Sequence, residues 1–91
     1  MAKAAYTVQL KPAAERDLKK IKDPSTLRRI ANAIDALARN PRPSGAQALQ
    51  GESGILRIRV GDYRILYTVD DNVLVVLVIR IGHRCAVYRK R

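Results

Sequence analysis

One cysteine, one histidine, no tryptophan and no phenylalanine occur in this chain of 91 residues. Cys85 alone forms no internal disulfide, and with His83 as the only imidazole no all-protein Cys/His metal site assembles. Long apolar runs are missing too. The longest, Val73 to Ile79, is strand length and well short of the ~18 residues of a membrane span. The opening MAKAAYTVQL carries one lysine and no apolar stretch of the secretory kind, so the expected compartment is the cytoplasm. Acidic residues are scarce, 8 against 18 Lys and Arg, and they are scattered. No carboxylate cluster is therefore expected to hold a pair of metal ions. Neither a Walker loop nor a Gly-rich dinucleotide fingerprint occurs, and no cofactor is expected.

What remains is a basic chain with an ordinary share of apolar residues. Hydrophobic residues make up 47% of the chain, near the globular average, which argues against disorder. The length suits one domain over residues 1–91. A net charge of +10 points to nucleic acid, an anionic membrane or an acidic protein as partner. Twelve of the 18 cations are arginine, the side chain suited to bidentate phosphate contact.

The chain divides at Asn40 to Gly45, NPRPSG, into a helical and a strand-like half. Tyr6, Val8 and Leu10 alternate as a short strand. Pro12 suits the first turn of a helix whose apolar face is Ala14, Leu18 and Ile21. Asp23-Pro24 reads as an N-cap with proline behind it, opening a second helix striped by Leu27, Ile30, Ala31, Ile34, Leu37 and Ala38 and stopped at Asn40-Pro41. After Gly54 the period becomes two. Leu56 to Val60 and Tyr63 to Val69 flank Gly61-Asp62, a two-residue turn with glycine first. Asp70-Asp71-Asn72 makes a second turn, Val73 to Ile79 a central strand ended by Gly82, and Ala86 to Tyr88 a last short strand. The expectation is α+β, order β-α-α-β-β-β-β, with a helical hairpin on one face of a small antiparallel sheet.

The Gly61-Asp62 turn sets a register: Val60 opposite Tyr63, Arg59 opposite Arg64, Ile58 opposite Ile65, Arg57 opposite Leu66. The pleat then gathers Arg57, Arg59 and Arg64 on one face and the isoleucines on the other. Like charges opposed across a ladder cost roughly 0.2–1 kcal/mol, a cost that an external polyanion would offset. Solvated arginines with stems lying on apolar surface are the plain alternative, and the two readings stand level on this hairpin alone. The C-terminal stretch tips the balance. Arg80, His83, Arg84, Tyr88, Arg89, Lys90 and Arg91 crowd behind the central strand. His83 is the side chain suited to proton transfer near neutral pH, although a single histidine is as often structural. Tyr88 is placed either to stack on a base or to plug the edge of the core. Tyr6, Tyr63 and Tyr67 fit the core better. Without metal, phosphodiester cleavage would need arginines for charge, a side-chain acid or base, and a substrate 2′-OH as nucleophile.

The stretches LQGESGILRIRVGDYRILYTVDD and VLVIRIGHRCAVY, with VQLKPAAERDLKKI and LARNP before them, resemble the RelE/ParE toxin superfamily and within it the RelE branch. The most specific part is Leu56 to Tyr67 together with Ile81-Gly82-His83-Arg84. The resemblance implies a RelE-like fold and the toxin of a type II toxin–antitoxin system. It implies a metal-independent endoribonuclease that cleaves mRNA in the A site of the 70S ribosome, leaving a 2′,3′-cyclic phosphate and a 5′-hydroxyl. The implied partners are a RelB-like, acidic, partly disordered antitoxin and, through the complex, operator DNA; no membrane is involved.

Carried over by position, Arg64, Arg84 and Tyr88 enter the expected catalytic set, and His83 joins them for its near-neutral pKa. Arg57 and Arg59, also matched by position, form the expected RNA-binding set together with Arg80, Arg89 and Lys90 of the basic C-terminal stretch. Some relatives carry lysine at the positions of Arg57 and Arg59. Arginine does not give up its proton, so the base role passes to His83. Cys85 and Ala86 stand where many relatives have arginine and glutamate, a change that would weaken the toxin. A gyrase poison of the ParE kind and a non-catalytic basic binding module are the alternatives. Retention of Arg57, Arg59, Arg64, His83, Arg84 and Tyr88 favours the ribonuclease.

Overall fold

The computed structural model of the chain describes residues 5–49 and 54–83. Its elements are β1 (Thr7–Leu10), α1 (Pro12–Lys19), α2 (Pro24–Arg39), β2 (Gln47–Ala48), β3 (Leu56–Val60), β4 (Tyr63–Asp70) and β5 (Val75–His83). The strands form one sheet in the order β1-β5-β4-β3-β2. Helix α1 lies on β5 and β1, α2 on β1 and β3, and each packs chiefly on the sheet rather than on its neighbour. Between helices and sheet sits the core: Ala14, Ile21, Ile30, Ile34 and Leu37 from the helical side, and Ile58, Ile65, Tyr67, Val76, Val78 and Ile81 from the strands.

The helix boundaries follow from local chemistry. The Asp23 carboxylate accepts from the Thr26 amide at 3.0 Å and from its hydroxyl at 2.6 Å, with Pro24 in the first turn. This satisfies an amide the helix leaves bare at its start. The bonds from Thr26 hold the Asp23 carboxyl below its ordinary value. Ile30, Ile34 and Leu37 are buried as the stripe requires, whereas Leu27 and Ala31 lie at its exposed margin. Asn40 leaves helical geometry at φ −144°, and the fully buried Tyr67 donates its hydroxyl to the Pro41 carbonyl at 2.7 Å. That bond anchors the proline loop to the centre of the sheet.

The β3–β4 hairpin has the register expected of its turn: Arg59 pairs with Arg64, Ile58 with Ile65 and Val60 with Tyr63. Gly61 has φ 61°, while Asp62 keeps a negative φ, the pattern of a turn with glycine first. The helix-covered face receives Ile58 and Ile65; Arg57, Arg59 and Arg64 project from the other.

Three expectations are corrected. The sheet is mixed rather than wholly antiparallel, because β1 runs parallel to β5, Thr7 opposite Val75 through Leu10 opposite Val78. An alternating apolar strand fits a neighbour of either direction, and it is the helical crossover that returns the chain in this sense. The turn after β4 is longer than expected. The Asp70 carboxylate accepts from the Asn72 amide at 2.9 Å and the Val73 amide at 3.4 Å, and Leu74 adopts φ 57°, so β5 starts at Val75 and Val73 is exposed. Gly82 does not end β5, since it pairs with Arg64, and His83 with Tyr63. A two-residue strand, Gln47–Ala48, was also not foreseen; the expected strand Ala86 to Tyr88 lies outside the described residues.

Candidate active site

Arg59 and Arg64 occupy directly opposed positions on the face turned away from α1 and α2, with Arg57 two residues before Arg59 on β3. Arg57 Nη2 donates to Gln47 Oε1 on β2, which fixes its guanidinium at the sheet margin. Across β4, Arg64 pairs with Gly82 and Tyr63 with His83. The rings of Tyr63 and His83 meet edge to face, centroids 5.8 Å apart at 76°. Arg59 and Arg64 lie near the end of the sheet where β3 and β5 end and β4 begins, and Arg57 nearer the start of β3; His83, paired with Tyr63, stands at that same end but on the helix-covered face, so the structure does not bring it onto the face of the three arginines. Such a face can bind a phosphate with several guanidiniums.

A break in the ladder shapes this end. Tyr67 pairs with Val78 but Leu66 with Arg80, so Ile79 is an extra residue on β5. Val76 and Val78 face the core before the bulge, and Ile81 rather than Arg80 faces it afterwards. Arg80 swings instead towards α1, where its Nε lies 2.8 Å from Asp17 Oδ2 and its Nη2 3.2 Å from Oδ1. Asp17 Oδ2 also accepts from the Ile81 amide at 2.9 Å. This amide lies past the end of β1, whose last ladder partner is Val78, so the carboxylate substitutes for the missing strand.

Asp17 is nine-tenths buried. Burial pushes its carboxyl up; the Arg80 and Ile81 hydrogen bonds and the Arg80 charge more than reverse this, leaving it below its ordinary value. Arg80, expected in the RNA-binding set, is thus tied to the fold through half of its guanidinium. Asp17 is a residue that the sequence analysis does not single out. Its spacing of three from Ala14, on the apolar face, was the signal that it turns inward.

Arg84, Tyr88, Arg89 and Lys90 of the expected sets lie outside the described residues, as do Cys85 and Ala86. Among the described residues, no three His, Cys, Asp or Glu side chains come together as a metal-holding group. No described helix is long and apolar enough to cross a membrane.

The family model described as the ParE toxin of the type II toxin–antitoxin system, parDE, matches residues 8–88. The chain belongs to this toxin family. Among its relatives are two toxins of Mycobacterium tuberculosis. Toxin RelG is 33% identical over 93% of this chain and 98% of its own length. Toxin RelE is 31% identical over 92% of this chain and 87% of its own. The same fold occurs in the toxin–antitoxin complex RelBE2 of M. tuberculosis, at TM-score 0.79 and 33% identity, covering 91% of this chain and 95% of that one. It occurs again in the archaeal RelE–RelB complex of Pyrococcus horikoshii, at TM-score 0.76 and 25% identity, covering 88% and 96%. As a ParE/RelE-family chain, this protein is a toxin of a type II toxin–antitoxin system.

Proposed function

We propose that this toxin is a metal-independent endoribonuclease that cleaves mRNA in the ribosomal A site, in the cytoplasm, and is held inactive by an acidic RelB-like antitoxin. The observation that carries the reading is the Arg59–Arg64 pair on the face turned away from α1 and α2, with Arg57 on the same face and His83 one residue past Gly82, the ladder partner of Arg64. Opposed like charges are unfavourable in an isolated sheet and favourable against a polyanion. Two solved relatives are toxin–antitoxin complexes, RelBE2 and the archaeal RelE–RelB, which supports an antitoxin as partner; operator DNA is the further target we assign to such a complex.

In this mechanism the 2′-oxygen of a nucleotide attacks the adjacent phosphorus and the bond to the 5′-oxygen breaks. The products are a 2′,3′-cyclic phosphate and a 5′-hydroxyl. Arg64 and Arg84 hold the scissile phosphate, where prepositioned guanidiniums act on charge that grows in the transition state. Arg57 and Arg59, with Arg80, Arg89 and Lys90, grip neighbouring phosphates and ribosomal RNA. His83 carries the proton that leaves the 2′-hydroxyl or reaches the 5′-oxygen, and Tyr88 stacks on the attacking nucleotide.

Induction of the chain in a host tests this. Growth should stop, with new 5′-hydroxyl ends in translated mRNA. Arg64→Ala should lower cleavage on the order of 10²–10³-fold while circular dichroism and antitoxin binding are retained. His83→Gln should lower cleavage and flatten its pH profile near neutrality. Gyrase-dependent DNA breaks with intact mRNA would overturn the reading in favour of a gyrase poison, and binding without either lesion would favour a non-catalytic basic module.

A further inference from the structure

On the far side of the end of β5, away from Arg59 and Arg64, lies a recess of about 250 Å³ between the C-terminus of α1 and the strand. Its floor is apolar, Ile21 and Ile81, and Tyr63 forms a wall with the His83 ring set edge-on to it. Lys20 and Arg80 stand at its rim, both exposed. The one carboxylate in its lining, Asp17, has both oxygens occupied by Arg80 and the Ile81 amide. Arg80 is held by Nε and Nη2, which fixes the plane of the guanidinium and leaves Nη1 as the nitrogen not engaged by Asp17.

We infer that this recess is a nucleotide subsite: it takes one nucleotide of a single RNA strand, its phosphate on Lys20 and Arg80 and its base against Tyr63. The inference rests on the RNA reading above and adds to it a second binding surface. Three features favour it. The fold has already immobilised Arg80, so the ligand bears little of the cost of ordering it. An apolar floor beside an aromatic ring suits a base of any sequence, and two cations at the rim suit a phosphate. Gly82 and His83 line the recess and also pair with Arg64 and Tyr63 in the ladder, so the recess and the arginine face meet at the same strand end.

Two lysines that differ only in position test this. Lys19 and Lys20 are adjacent and exposed and carry the same charge, but only Lys20 lines the recess. The full-length chain is titrated with a fluorescein-labelled single-stranded RNA at several salt concentrations, and Lys19→Ala, Lys20→Ala and Arg59→Ala are compared. Lys20→Ala should flatten the dependence of log affinity on log salt by about 0.7, the loss of one single-strand phosphate contact, while Lys19→Ala leaves the slope unchanged. Tyr63→Leu should weaken binding without changing the slope. Equal effects of Lys19→Ala and Lys20→Ala would mean diffuse attraction and overturn the subsite. A slope that falls with Arg59→Ala but not with Lys20→Ala would overturn the subsite and leave the RNA reading standing. Failure of the parent chain to bind the RNA at low salt would overturn both.

Discussion

Asp17 and Arg80 join α1 to the last strand through two hydrogen bonds, 2.8 and 3.2 Å, and the same carboxylate seals the Ile81 amide. Removal of this carboxylate should cost about 2–3 kcal/mol, since hydrogen bonds to a charged group are lost and a buried amide is left bare. Urea unfolding of Asp17→Ala at neutral pH checks this. The carboxyl is depressed in the folded chain, so its contribution is present above the unfolded value of 3.8 and fades as pH falls through the lower folded value. The parent chain should therefore lose stability below about pH 4, and Asp17→Asn should lack that part of the loss.

Tyr67→Phe should destabilise by about 1–3 kcal/mol. The ring keeps its place in the core, but the Pro41 carbonyl loses its buried donor. The urea midpoint should fall with the slope of the transition unchanged.

Gly61→Ala should cost about 1–2 kcal/mol, because φ 61° is left-handed; the new methyl would make only ordinary contact with the Arg29 guanidinium. Gly45→Ala is the matched comparison. Nothing lies within 4 Å of a methyl there, so thermal unfolding should barely move.

At the other end of the sheet, the Tyr6 hydroxyl donates to Asp71 Oδ1 at 2.6 Å, and Arg42 holds both oxygens of the same carboxylate at 3.1 and 2.9 Å. The hydrogen bond to Asp71, with some burial and the neighbouring negative charge, lifts the Tyr6 phenol above its ordinary 10.0. A group raised on folding stabilises below its unfolded value and loses that contribution as pH climbs through the folded one. Asp71→Asn should bring the Tyr6 phenol down towards 10.0 in an ultraviolet titration.

What could be read in advance was local. Asp23-Pro24 and Asn40-Pro41 bracket α2 because capping and proline act over three or four residues. Gly61-Asp62 specifies its hairpin because a two-residue turn leaves one register, and the opposition of Arg59 and Arg64 follows from it. The parts not foreseen depend on distant partners. The direction of β1 is set by where the crossover returns it, and Gly82 stays in a strand because Arg64 is opposite. Arg80 looked like one more surface cation because the bulge at Ile79, which turns it towards Asp17, leaves no mark in the alternation of a strand that is apolar on both faces.

The pairing of β1 with β5 also governs timing. The first strand made has no neighbour until the chain has been synthesised past Val78, and Asp17 waits as long for Arg80. Gly82 and His83, which complete the surroundings of Arg64, follow later still. Ladders between residues so far apart in sequence are slow to close. The surroundings of Arg64 are therefore among the last parts of the sheet to form as the chain is made.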